Sequence, residues 1–308
     1  MSPALYTPTQ ISAYLTRLAI PASSQKTSIT SLDPDSALTY LALLQRHHLA
    51  TIPFENLTLH YSPHHQITLH PDELYRKIIG DANGRGGYCM ENNSLFGALL
   101  KSLGYEVYSA GGRVWTGETW TGWSHKINIV KIGPQKFHVD VGFGGPGPTT
   151  PMPLSSSPPS APQPHISPAT ARLQWKNITG NTDSDQRLWV YEHKPTADAD
   201  FTPVYCFTEL EFLDNDYQIM NYFTSTSNKI FFTRMVMLDR KVMGEGGELV
   251  GSVSVNQDVL KKRINGAKEL EIKFASEAER VGALEEYFGI KLTEAERDGI
   301  RGLPSEIK

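Results

Sequence analysis

The sequence predicts an α+β protein in three consecutive parts: a helical first third, a β-rich middle, and an antiparallel sheet closed by one helix. Three observations carry this. Up to about residue 104, apolar residues recur every three to four positions, the spacing of helix faces. From Tyr105 the texture changes to short valine- and isoleucine-rich runs separated by turn residues. In the last third, strand–turn–strand patterns repeat and end in a helical stretch over 277–288. The expected boundaries are 1–104, 105–208 and 209–308.

Taken in order, a first helix spans 8–19, capped by Thr7 or Thr9, with Ile11, Tyr14, Leu15 and Leu18 on one face. A second begins at Asp33-Pro34-Asp35, an acidic cap before a first-turn proline, and carries Leu38, Leu41 and Leu44 to His47-His48. Pro53 stops regular structure ahead of Phe54-Glu55-Asn56-Leu57. A third helix over 71–79 ends at Gly80. Then comes a glycine-rich turn, Gly84 to Gly87, and a helix with Leu95, Phe96, Leu99, Leu100 and Leu103 on its face. Cys89 lies near the start of that helix.

The middle part offers strands at 106–109, 112–115, 126–132 and 136–143, a meander or small barrel turning at Gly133-Pro134-Gln135. Gly142 to Gly147 looks like a dinucleotide fingerprint only superficially, because prolines and not a helix follow it. The proline- and serine-rich segment 151–170 is expected to stay out of any sheet ladder, as an exposed insertion. Strands at 188–192 and 204–208 return to the barrel, followed by a helix over 209–223 and a polar loop at 224–228. Strands at 230–239, 240–242, 248–255 and 267–274 precede the final helix.

A formal charge of −4 and a pI near 6.2 argue against nucleic acid or an acidic membrane as partner, since both favour a basic face. No apolar run is long enough to cross a bilayer, and the N-terminus lacks a secretory pattern, so the cytoplasm is the expected compartment. Six of ten histidines fall between His47 and His70. Their spacing, with no cysteine or paired carboxylate beside them, reads as solvated loops and not as a metal site.

Of two cysteines, Cys206 sits in the apolar run Val204–Phe207 and reads as a small buried hydrophobe. At a helix N-terminus, unpaired N–H groups and the helix dipole favour the thiolate, which makes Cys89 the candidate nucleophile. A base is needed, and the β region supplies His125 and His138, with Asp140 to orient either. His138 and Asp140 stand two apart on one strand face. A turn at Pro134-Gln135 would leave His125 and Asp140 four residues out of step, on the order of 13 Å, so a bulge or bend would have to join them. Periodicity does not choose between the two histidines.

The stretch Arg85-Gly-Gly-Tyr-Cys89-Met-Glu-Asn-Asn93, preceded by Pro53-Phe-Glu-Asn-Leu57 and followed by His125 and Val139-Asp140-Val-Gly-Phe-Gly-Gly145, resembles the arylamine N-acetyltransferases. The likeness is collinear from about Tyr14 to the C-terminus and includes Asn221-Tyr-Phe-Thr-Ser-Thr-Ser227. It implies a helical-bundle first domain, a β-barrel second domain and an α/β lid with an antiparallel sheet, on a cysteine-proteinase-like core. It also implies Cys89 as nucleophile, His125 as base and Asp140 as orienting carboxylate, leaving His138 a bystander. Thr121, Gly122, Gly144, Thr226 and Ser227 would lie near the coenzyme, and Phe143 would line the acyl or arylamine pocket.

The implied co-substrate is acetyl-CoA or another short acyl-CoA, with no metal, and the acceptor an arylamine, arylhydroxylamine or hydrazine. Two departures from the family pattern are Asn228, where proline is common, and the segment 151–170. A cysteine hydrolase or transglutaminase-like enzyme would use the same Cys-His-Asp order, and a non-catalytic binding module would keep only the scaffold.

Overall fold

The computed structural model describes residues 5–156 and 161–308. Its helical part opens with α1 (Pro8–Arg17), capped by a reciprocal pair: the Thr7 hydroxyl accepts from the Gln10 N–H and the Gln10 side-chain Oε1 accepts from the Thr7 N–H. Helix α2 (Pro34–Thr51) starts where Asp33 accepts the Ser36 N–H. A short strand β1 (Phe54–Glu55) and one helical turn α3 (Thr58–Tyr61) follow, then α4 (Pro71–Tyr75), whose last turn widens to a π-helix over Arg76–Gly80. Helix α5 (Cys89–Leu103) ends at Gly104, where φ of 100° is open to glycine at little cost.

Strands β2 (Glu106–Val114), β3 (His125–Ile132), β4 (Gln135–Val139), β5 (Met152–Pro153), β6 (Gln163–Pro164), β7 (Thr170–Lys176), β8 (Leu188–Lys194) and β9 (Thr202–Glu211) form one antiparallel sheet, ordered β5-β4-β3-β2-β9-β8-β7-β6. Strands β4 and β9 are three places apart, about 14 Å if the sheet were flat. Yet His138 on β4 stacks on Phe207 of β9 at 4.6 Å. The sheet therefore curls on itself, around a core of Ala110, Ile127, Ile129, Leu173, Trp189, Tyr191 and Tyr205. Its outer face packs on α5, whose Phe96, Leu99 and Leu100 share a core with Val130 and Val139.

After β9 come α6 (Asp214–Thr226), β10 (Met237–Met243), β11 (Leu249–Asn256), β12 (Val259–Ile264), β13 (Ala267–Lys273), α7 (Glu277–Phe288) and α8 (Glu294–Gly299). The second sheet runs β1-β10-β11-β12-β13 and buries Leu238, Val253, Val255 and Leu260 against Leu284 and Phe288 of α7. Among the described residues no helix is long and apolar enough to cross a membrane.

Several expectations change. Prolines did not keep the 151–170 segment out of the sheet: Met152–Pro153 pairs with Phe137 and His138, and Gln163–Pro164 with Thr170 and Ala171. Both are two-residue edge strands, where the missing N–H of proline breaks no ladder; residues 157–160 of that segment lie outside the described residues. The expected helix over 209–223 yields its start to β9, and α6 takes in Thr224 to Thr226 of the expected polar loop. One strand, β10, replaces the expected pair at 230–239 and 240–242. His48 and His60 are not solvated but fully buried, His48 against the Tyr14 hydroxyl at 3.1 Å and His60 against Ser305 at 2.8 Å.

The Phe54-Glu55 strand belongs to the second sheet, which ties the helical part to the C-terminal part. Buried Glu55 accepts from Arg85 Nε at 3.0 Å and from the Leu57 N–H at 2.6 Å, with Lys77 at 3.5 Å. Arg85 in turn reaches Glu296 on α8 at 3.1 Å. Burial pushes the Glu55 carboxyl up, but the Arg85 and Lys77 charges outweigh it and bring it down to about 2. Replacing Glu55 by Ala leaves the Arg85 guanidinium, among the described residues, only Glu296 and Thr58 as partners, and urea unfolding at pH 7 is expected to show a loss of about 1.5–3 kcal/mol. Because the carboxylate is held below its unfolded value of 4.5, the difference from wild type shrinks as the pH falls from there toward 2.

Candidate active site

The turn before α5 is built by close backbone contacts. A Cβ at Gly86 would stand 1.9 Å from the Pro53 carbonyl oxygen, and one at Gly84, where φ is +80°, 2.1 Å from that of Gly289. These glycines make room for neighbouring chain from both ends of the molecule. Asn92 fixes the turn from within the helix, its amide donating to the Gly87 carbonyl at 2.8 Å and the Pro53 carbonyl at 3.2 Å. Glu91 accepts the Tyr88 N–H at 3.1 Å, so Cys89 is delivered as the first residue of α5.

The Cys89 thiol is buried and faces the Ser124 carbonyl at 3.7 Å. His125 opens β3 beside it. Its Nε2 lies 2.8 Å from Asp140 Oδ2, and the Cys89 side chain is a second polar neighbour of the ring. Burial is the largest influence on this imidazole and pushes it down. The Asp140 charge and hydrogen bond, with a smaller part from Cys89, prevail and raise it to about 10.

Asp140 follows the last residue of β4 and accepts four hydrogen bonds. Among the described residues, besides His125, they come from Asn93 Nδ2 at 2.8 Å, the Gly142 N–H at 2.8 Å and the Tyr205 hydroxyl at 2.9 Å. Burial raises its carboxyl, while the His125 charge and these donors lower it more, to about 2. Such a carboxylate is ionised at neutral pH and accepts only.

The register explains how His125 and Asp140 meet. The turn is Gly133-Pro134, not Pro134-Gln135, so Ile132 pairs with Gln135 and Asn128 with Val139. Continuing that register sets His125 two residues from the Asp140 partner position, a diagonal separation of about 7–8 Å that side chains bridge. Neither bulge nor bend is needed. His138, on the same inward face, makes no ion pair; its Nε2 is 2.8 Å from the Tyr205 hydroxyl, and burial lowers its ring to about 4.

The remaining expected contact residues lie at different distances from this cluster. The Phe143 ring meets His125 edge-on at 5.2 Å and Tyr205 at 4.9 Å. Gly144, with φ of +71°, passes Phe54 so closely that a Cβ would stand 3.2 Å from its ring. The Thr121 hydroxyl is bonded to Ser124 at 2.8 Å and receives the Val114 N–H, while Gly122 has open space where a side chain would be. Thr226 donates to the Tyr222 carbonyl and Ser227 accepts from Lys229, so their hydrogen bonds run within their own turn.

Asn93 and Tyr205 were not foreseen. Asn93 had a signal, since it lies four residues after Cys89 on one helix face. Tyr205 had none, because only the curl of the sheet brings β9 over β4.

A family model described as N-acetyltransferase matches residues 37–297. N-malonyltransferase FDB2 from Gibberella moniliformis is 38% identical over 86% of this chain and 81% of its own length. The arylamine N-acetyltransferase structure from Mycobacterium abscessus superposes with a TM-score of 0.78 at 24% identity, covering 94% of this chain and 93% of that one. The Mycobacterium marinum enzyme in complex with CoA gives 0.75 at 25% identity, covering 94% and 97%. With this fold, this match along most of its length and a buried thiol beside an imidazole that bonds a carboxylate, the chain belongs to the arylamine N-acetyltransferase family and is an N-acyltransferase.

Proposed function

We propose that the protein moves a short acyl group from an acyl-CoA to the nitrogen of an arylamine, arylhydroxylamine or hydrazine, with Cys89 carrying the group between them. One observation supports this above others: the Cys89 thiol, the His125 ring and the buried Asp140 carboxylate stand in contact, in the order that nucleophilic catalysis uses. In the first half-reaction His125 already holds the Cys89 proton, the thiolate attacks the thioester carbonyl, and the C–S bond to CoA breaks. The CoA thiolate leaves and takes back a proton. In the second, after CoA has taken that proton from His125, the amine nitrogen attacks the acyl carbonyl, His125 receives the amine proton, and the bond to Cys89 breaks to restore the thiolate beside a charged His125. Weakly basic aromatic amines are unprotonated at pH 7 and suit this step. The scheme is ping-pong.

The CoA complex of the Mycobacterium marinum relative supports acyl-CoA as co-substrate. In this reading Thr121, Gly122, Gly144, Thr226 and Ser227 face the coenzyme, and Phe143, beside the His125 ring, bounds the acyl or amine pocket. The stretches 1–104, 105–208 and 209–308 would act as a cysteine-bearing domain, a His- and Asp-bearing domain and a lid.

Malonyl is a second choice of acyl group. It is favoured by the relative named N-malonyltransferase and by Lys126, a buried ammonium held by the Ser94 hydroxyl at 2.8 Å and the Tyr217 ring at 3.9 Å. Among the described residues no carboxylate oxygen lies within 4 Å of it. A carboxylated acyl group would add a counter-charge to the one that Asp214 supplies.

Incubation with acetyl-, propionyl- and malonyl-CoA, followed by mass spectrometry of the Cys89 peptide, is expected to show one acyl adduct that an aromatic amine removes. No adduct from any donor, with peptide cleavage by wild type but not by Cys89→Ala, would establish a hydrolase instead. The charge pair also predicts a pH dependence. Asp140 stabilises the fold above its unfolded value of 3.8, and that contribution is lost as the pH falls toward 2. His125 contributes fully below 6.5, and loses its part as the pH rises toward 10. Urea unfolding should therefore find the advantage of wild type over Asp140→Asn greatest between about pH 4 and 6.5, shrinking on both sides.

A further inference from the structure

Tyr205 has one hydroxyl proton and gives it to Asp140, which as a carboxylate can only accept. His138 Nε2 lies 2.8 Å from the same hydroxyl oxygen, so the proton between those two atoms belongs to the histidine. Its Nδ1 then holds a lone pair. That agrees with Nδ1 being buried without a partner among the described residues, where a second proton would be an unpaired buried donor.

We propose that His138 is a positioning residue for acyl transfer: as the neutral Nε2–H tautomer it donates to the Tyr205 hydroxyl and aims the phenol proton at Asp140. The inference rests on Cys89, His125 and Asp140 being the reactive centre. Two bonds in sequence polarise one another, so the incoming donor strengthens the hold of Tyr205 on the carboxylate that orients His125.

The surroundings leave His138 little other role. It is fully buried, stacked on Phe207 at 4.6 Å and 18°, with Tyr191 at 6.1 Å and Tyr205 at 5.7 Å. The titratable groups around it are Tyr191 of β8, Tyr205 of β9, His125 of β3 and Asp140, and burial keeps the ring neutral at physiological pH. A phenylalanine would fill an aromatic box of this kind without the cost of a buried imidazole. What the histidine adds is a donor.

The test compares wild type with His138→Phe, His138→Gln, Tyr205→Phe and the double variant His138→Phe/Tyr205→Phe. Circular dichroism confirms folding, and the readouts are the Cys89 alkylation rate with iodoacetamide and kcat and KM with acetyl-CoA and an aminobenzoate. His138→Phe is expected to lower kcat about fivefold, the worth of one net hydrogen bond, with KM unchanged. His138→Gln, whose amide can still donate, should recover most of the rate. In the Tyr205→Phe background His138→Phe should cost nothing further, because its only route to Asp140 is gone. Nitrogen NMR of wild type should show His138 protonated at Nε2 alone at pH 7.

Wild-type kcat in His138→Phe, an equal loss with and without Tyr205, or a protonated Nδ1 would each overturn the inference. An inert Cys89 in wild type would overturn the acyl-transfer reading as well, and so is distinguishable from an active wild type with an indifferent His138.

Discussion

The buried charge of Asp140 is the constraint on which the site depends. A carboxylate taken out of water is costly unless every acceptor position is used. Here the donors come from four elements: His125 of β3, Asn93 of α5, Tyr205 of β9 and the backbone of Gly142. Hydrogen bonds to a charged group contribute about 1.5–3 kcal/mol each, so the carboxylate orders the helix, the two strands and the loop about one point. The same bonds that make the ion tolerable fix the imidazole against the thiol. In the proposed reaction, stability and chemistry thus share one set of contacts.

Cys89 is held by a different set. Its turn is pressed between the Pro53 and Gly289 backbones, and the Glu55–Arg85–Glu296 chain of ion pairs clamps the same turn to both ends of the sequence. The helix N-terminus that carries the thiol is therefore positioned by the helical part and the second sheet, while its partners are positioned by the curled sheet. Gly142 joins the two: a Cβ there would stand 2.8 Å from the Cys89 Cα.

Helix faces, most strand positions and the candidate cysteine were legible because each leaves a local pattern: apolar periodicity, glycines before a helix, a proline or acidic cap. The resemblance selected His125 over His138, which periodicity alone could not do. What escaped was non-local. Whether the turn is Gly133-Pro134 or Pro134-Gln135 shifts the pairing by two residues, and that decides whether His125 and Asp140 can touch. Tyr205 and Asn93 act through contacts across 65 and 47 positions of chain, and nothing beside them in sequence announces a carboxylate. The edge strands at Pro153 and Pro164 leave no mark in composition, because proline is excluded from the interior of a sheet and not from its edges.

The central claim is that Asp140 keeps His125 charged beside Cys89. Nitrogen NMR of a histidine-labelled sample reads this directly at pH 8, where an unperturbed imidazole would be neutral. The account predicts an imidazolium signal for His125 in wild type that becomes a neutral imidazole in Asp140→Asn. A neutral His125 in folded wild type at pH 8 would contradict it.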